Sequence, residues 1–211
     1  MTMTQLLFYI QRHRTFLLLI VLGVFICWGY IMAIFDNSVL KVIYRNEGGY
    51  TWVKGDSGGE TYIGISRVNW PSWGGWRYID SAKPLKQGQI LNNPELANKV
   101  KDFYEKNFWI PNHLDQITQQ QEAIKIMDMA VNMGSYQAVK LVQKALNKRF
   151  NFEVPVDGKL GPITYTYINQ CDTNKFLTAL RDISVDFYKS LVVKNPKNKQ
   201  FLSDWLQRAL Q

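Results

Sequence analysis

The sequence predicts a mainly α protein. An α+β lobe with a small β-hairpin comes first, a helical carboxyl-terminal lobe follows, and one transmembrane helix precedes both. Three observations predict this. Residues 16–35 run for twenty positions without a charge. Beyond residue 37 apolar side chains recur at helical spacing in segment after segment. Between the first two segments lies NEGGYTWVKGDSGGETYIGI, residues 46–65, whose glycines and short alternation read as turns and strand.

The uncharged run is FLLLIVLGVFICWGYIMAIF. As a helix, at ~1.5 Å per residue, twenty residues span roughly one bilayer core. It has no small-residue cleavage site, so it reads as an uncleaved anchor. Arg12, His13 and Arg14 abut its amino end and Asp36 its carboxyl end, which favours a cytoplasmic tail over 1–15. The expectation is a single-pass protein of the inner membrane with its main domain in the periplasm.

The composition is that of a globular chain of 211 residues, with 20% charged residues, seven Trp and eleven Tyr. A formal charge of +8 favours anionic partners: nucleic acid, anionic lipid or a carboxylate-rich cell wall. The two cysteines, Cys27 and Cys171, form no CxxC or Cys/His cluster, which argues against a zinc site.

After the anchor, Asn37 or Ser38 can cap a helix that carries Val39, Leu40, Val42 and Ile43 on one face and stops at Gly48-Gly49. Glu47 falls in its last turn. The carbonyl end of a helix disfavours an anion, and burial in a cleft acts the same way. Both favour the protonated carboxyl that a general acid needs.

Two chemistries fit the glycine-rich stretch. GDSGG, 55–59, is similar to the segment around the nucleophilic serine of chymotrypsin-like proteases. That chemistry requires a histidine base held by a second acid. His13 precedes the anchor, and His113 lacks a suitable surround in a chain that reads as helical. The second chemistry is glycoside hydrolysis, which needs a proton donor and a carboxylate near the anomeric centre. Glu47 and Asp56 supply that pair. Thr61 opens the run Thr61–Ile65, read as one short strand, where its hydroxyl can help Asp56 hold a water.

From about residue 38 onward the chain resembles glycoside hydrolase family 108, a group of phage endolysins and secretion-associated N-acetylmuramidases. EGGY (47–50) and DSGGETYIGI (56–65) carry the resemblance, followed in order by FYEKNFWIP (103–111), DMAVNMGSYQAVKLVQKAL (128–146), VDGKLGP (156–162) and FLSDWLQRAL (201–210). The resemblance implies that Glu47 is the essential acid. Analogy with phage-type lysozymes assigns Asp56 and Thr61 their roles. It further implies a lysozyme-like catalytic domain over 37–133 and a peptidoglycan-binding lobe over 134–211. Peptidoglycan, not nucleic acid, is then the partner, with a holin or a secretion complex as a further one. No cofactor or metal is implied.

Tyr50 and Tyr62 flank the candidate site and are candidate substrate contacts. Trp70 and Trp73 sit in a Trp-rich segment, either stacking on sugar faces or filling a core. A helix over 119–133 places Asn132 four residues after Asp128, either facing the sugar cleft or bonding locally. Helices are also expected over 138–150, from Thr164, over 176–190, and at the end, with Leu202, Trp205 and Leu206 inward. The expected activity is hydrolysis of the β-1,4 bond between N-acetylmuramic acid and N-acetylglucosamine. The rivals are a lytic transglycosylase and a non-catalytic wall-binding assembly protein.

Overall fold

A computed structural model describes residues 31–52 and 59–211, together with the backbone of two short strands, β1 (Leu19–Val21) and β2 (Val24–Ile26). These two strands overturn the expected membrane helix over 16–35. They pair antiparallel, with Leu19 opposite Ile26 and Val21 opposite Val24. Residues 31–36 form neither helix nor strand and are tied to the domain. The Ala33 N–H donates to the Ile117 carbonyl at 2.7 Å. The Gln120 amide pairs with both the N–H and the carbonyl of Ile34, at 2.9 and 2.8 Å. Ala33 and Phe35 are buried, and Phe35 packs edge-on against Trp109.

Among the described residues no helix is long and apolar enough to cross a membrane. The expected single-pass placement in the inner membrane, with the domain in the periplasm, is therefore corrected. The physical reason lies in the run itself. It is rich in β-branched and aromatic residues, which favour strands. An unbroken apolar run also lacks the period that separates helix from strand. The tail 1–15 and Cys27 lie outside the described residues.

Helix α1 (Asn37–Glu47) is capped by Asp36, one residue before the expected cap. The Asp36 carboxylate accepts from the N–H groups of Ser38 and Val39, at 2.8 and 3.4 Å, and from the Ser38 hydroxyl at 2.6 Å. Val39 and Ile43 face the core, and Gly48 ends the helix at φ +69°. A three-stranded antiparallel sheet follows: β3 (Tyr50–Thr51), β4 (Thr61–Tyr62) and β5 (Ile65–Ser66), in that order. The single strand expected over Thr61–Ile65 is thus a hairpin. Tyr62 pairs with Ile65, and the two residues between them, Ile63 and Gly64, both have positive φ. That is the turn geometry that matches the twist of two-residue hairpins.

The rest is helical: α2 (Trp76–Ser81), α3 (Pro94–Tyr104), α4 (Gln120–Met133), α5 (Ser135–Phe150), α6 (Pro162–Ile168), α7 (Thr173–Lys194) and α8 (Leu202–Leu210). A wider π turn, Glu105–Trp109, prolongs α3. Helix α4 is the central element, in contact with α1, α5 and α7. The expected helices are present, longer at the amino end for 138–150 and at both ends for 176–190. One continuous core joins Val39 and Ile43 of α1, Ile63 and Ile65 of the hairpin, Val100 of α3, Ile126 of α4 and Leu180 of α7. In α8 only Ala209 is fully buried; Leu202, Trp205 and Leu206 are half-buried.

Candidate active site

The site grows from the end of α1. Glu47 stands where the helix stops, with its carboxyl turned toward the hairpin. A Cβ added at Gly64 would lie 2.5 Å from Glu47 Oε2 and 2.8 Å from the Tyr104 hydroxyl. Only glycine allows the hairpin to approach the carboxyl this closely. The Tyr104 hydroxyl donates to the Ile63 carbonyl at 2.6 Å and so fixes the turn from behind. Burial, with the Glu47 carboxylate adding to it, pushes the Tyr104 hydroxyl well above its ordinary pKa, so it remains a donor.

The other oxygen of Glu47 is engaged from the far end of the chain. Arg208 Nη2 on α8 lies 2.7 Å from Glu47 Oε1, and the two side chains are 16% and 17% exposed. Arg208 also reaches Asp128 on α4, through Nε and Nη2, both at 3.0 Å. Asn46 Nδ2 donates to the same Asp128 oxygen at 2.7 Å. Burial opposes a charge on Arg208, but the Asp128 and Glu47 carboxylates outweigh it and raise the pKa of the guanidinium. Lys125 Nζ donates to the last carbonyls of α8, those of Arg208 and Ala209, at 3.3 and 2.8 Å. Burial lowers the Lys125 pKa to about 8, with Asp128 acting the other way.

Asp56 lies outside the described residues, in 53–58. The chain on either side is held. Before it, Gly49 packs directly on the backbone of Gly88 and Gln89, and the Tyr50 N–H donates to the Gln89 carbonyl at 2.9 Å. After it, Glu60 takes Arg67 at 2.6 Å and Lys83 at 2.7 Å. Asp80 joins the network, with Arg67 at 2.7 Å and Lys83 at 3.0 Å. Hydrogen bonds from Arg67, then Lys83, hold the Asp80 pKa below its usual range. Thr61 follows on β4, half-buried, three residues before Gly64.

The other predicted residues divide. Tyr50 and Tyr62 are buried, and the Tyr62 hydroxyl accepts from the Leu91 N–H at 3.1 Å. Trp73 is half-buried and donates to the Lys99 carbonyl at 3.3 Å. Trp70 is 42% exposed, with its ring edge-on to Phe103. Asn132 Nδ2 donates to the Tyr188 hydroxyl, so its bond is a local one. Sequence reasoning missed Arg208, Gly64 and Tyr104. All three lie inside quoted blocks, but no block carries a sign of what the residue touches.

The arrangement is a partly shielded carboxyl at a helix end, packed on a glycine turn and paired with an arginine. Residues 40–134 match the family described as Glycosyl hydrolase 108. They are a glycosyl hydrolase 108 domain. Residues 137–210 match a second family, described as Predicted Peptidoglycan domain. The glycosyl hydrolase 108 domain holds Glu47 and the hairpin, and the peptidoglycan domain contributes Arg208. Together they make this a glycoside hydrolase of lysozyme-like type acting on peptidoglycan.

Among solved structures the chain is similar to Brucella abortus SagA, with 23% identity and a TM-score of 0.52 over 82% of this chain and 92% of that one. At that identity the likeness is one of fold. No curated protein matches the chain.

Proposed function

We propose that the enzyme hydrolyses the β-1,4 bond between N-acetylmuramic acid and N-acetylglucosamine, with Glu47 as general acid. The observation that carries the proposal is the seat of Glu47: the end of α1, against Gly64, reachable from solvent yet mostly enclosed. Glu47 gives its proton to the glycosidic oxygen as the C1–O bond breaks. A water attacks C1 and loses its proton to Asp56, with the Thr61 hydroxyl orienting that water. The anomeric configuration inverts, and the two carboxyls lie ~6.5–9.5 Å apart. The domain reading is a catalytic lobe over 37–133 and a wall-binding lobe over 134–211.

Trp70 is the proposed sugar-stacking face, because its ring is partly open to solvent. Tyr50, Tyr62, Trp73 and Asn132 enter as the wall behind the cleft, since burial or internal bonds commit them.

Glu47→Gln keeps the shape and removes the proton donor. Activity on purified sacculi is expected to fall by ~10²–10⁴-fold, with the circular dichroism spectrum unchanged. Asp56→Asn is expected to be severe and Thr61→Val milder. Products carry reducing ends by mass spectrometry. Anhydro ends would assign a lytic transglycosylase instead, and an active Glu47→Gln would end the assignment.

A further inference from the structure

We infer that Arg208, held by Asp128, is a positioning residue for Glu47, so that the peptidoglycan domain supplies part of the catalytic apparatus of the other domain. The inference rests on Glu47 being the acid. Its basis is the direction of each bond. Arg208 offers one N–H to Glu47 Oε1 and directs Nε and Nη2 to Asp128, whose oxygen Asn46 also holds. The guanidinium is planar, so the Nε bond to Asp128 Oδ1, with Nη2 close to the same oxygen and bonded to the Asp128 carbonyl at 3.5 Å, fixes the angle at which Nη2 meets Glu47. Binding at Oε1 stops the carboxyl from rotating and keeps Oε2 over Gly64.

Charge balance separates this role from two others. Asp128 already compensates Arg208, so protonation of Glu47 leaves no buried cation without a counter-ion. When the proton leaves Glu47 for the glycosidic oxygen, negative charge grows on a carboxyl that already faces an N–H donor. A donor set in place before charge develops stabilises the transition state without reorganising. A latch that only blocked Glu47 would have no need of the Asp128 pair. A purely structural bridge would be complete at Asp128 and Asn46, without the bond to Glu47. Lys125, bound to the Arg208 and Ala209 carbonyls, anchors the end of α8 that carries the side chain. Tyr104 and Tyr188 lie nearby, both kept neutral by burial, while Arg45 and Arg181 bear on Lys125 and Tyr44 on Tyr104.

The test uses the full chain with Arg208→Gln, Arg208→Lys, Asp128→Asn and Glu47→Gln, each checked by circular dichroism and thermal melting. Turnover of soluble peptidoglycan oligomers gives kcat and KM, and sacculus pull-down gives wall binding. Arg208→Gln is expected to lower kcat by about 10- to 100-fold while KM and wall binding stay within about twofold. Arg208→Lys falls between, because an ammonium keeps the charge but not the fork. Millimolar methylguanidinium restores part of the kcat of Arg208→Gln. In Asp128→Asn the alkaline limb of the pH–rate profile moves to lower pH, since Arg208 then faces Glu47 alone.

Full or raised kcat in Arg208→Gln overturns the inference, the second result marking a latch. So does a loss spread equally over kcat, KM and wall binding with no rescue, which marks a purely structural bridge. Should Arg208→Gln fail to fold, Arg208→Lys and the pH profile of Asp128→Asn decide. Glu47→Gln separates the two failures. If it is active, the assignment of the acid fails; if it is inactive while Arg208→Gln is fully active, only the positioning role fails.

Discussion

Gly64 shows how narrowly the site is built at the scale of one residue. It sits at φ +70°, where a side chain is strained, and a Cβ would meet Glu47 Oε2 at 2.5 Å. Gly64→Ala is expected to cost about 1–2 kcal/mol from the left-handed backbone alone. It should also push the Glu47 carboxyl aside, so kcat should fall by about tenfold or more, as a misplaced catalytic group costs rate. Thermal melting and turnover of soluble oligomers measure the two effects separately. Unchanged kcat would mean that the carboxyl does not need its present seat. Glu47 itself was legible in the sequence, because a glutamate ahead of two glycines marks a helix end. The bond from Arg208 was not, because it spans 161 positions and no local pattern encodes it. The depth of Tyr50 and Tyr62 was hidden for a related reason: both are buried, and burial is not written in the residue type.

Elements were more legible than contacts, because each carries its own period and caps. Helix α1 was found from its apolar face, with the cap misplaced by one residue; Asp36, not Asn37 or Ser38, holds the first N–H groups. Asp36→Ala should cost ~0.5–2 kcal/mol of stability, read as a lower melting temperature with kcat unchanged below the transition. The hairpin was read as one strand because Thr61–Ile65 alternates, while the positive φ of Ile63 belongs to the fold and not to isoleucine. Helix α4 carries a feature that no period reveals, a fully buried Glu122. Burial raises its pKa from 4.5 to about 7, with the Thr173 hydroxyl opposing and Asp172 adding to the shift. The folded state then binds the extra proton between those pH values, so stability falls as pH rises from 4.5 to about 7 and stays low above it. The full effect is on the order of 3 kcal/mol. Glu122→Gln should flatten this dependence in denaturant melts and raise stability at pH 8. An unchanged slope would place the proton elsewhere.

The two domains divide the work of the whole molecule unevenly. Tyr136 on α5 is 62% exposed, with Lys140 Nζ 5.2 Å above its ring and the turn at Gly158 packed beside it. Val156 and Ile163 are exposed in the same domain. Replacing Tyr136 and Lys140 together by alanine should weaken sacculus binding by about two- to fivefold, on the scale of an exposed cation–π pair. Turnover of short soluble oligomers should barely change. Equal loss on both substrates would make this domain a scaffold only. The quoted blocks run in the order of the two family matches, 40–134 and then 137–210. The amino-terminal run was misread, because twenty uncharged residues fit a bilayer by length alone, and that fit outweighed the β-branched and aromatic residues that favour the strands at Leu19–Val21 and Val24–Ile26. The Arg208–Glu47 bond also sets an order in time. A chain leaves the ribosome amino end first, and its domains tend to fold as they emerge. Glu47 and its hairpin are therefore outside and able to fold while Arg208 is still unmade. On each new chain the pairing of acid and arginine is among the last contacts to form.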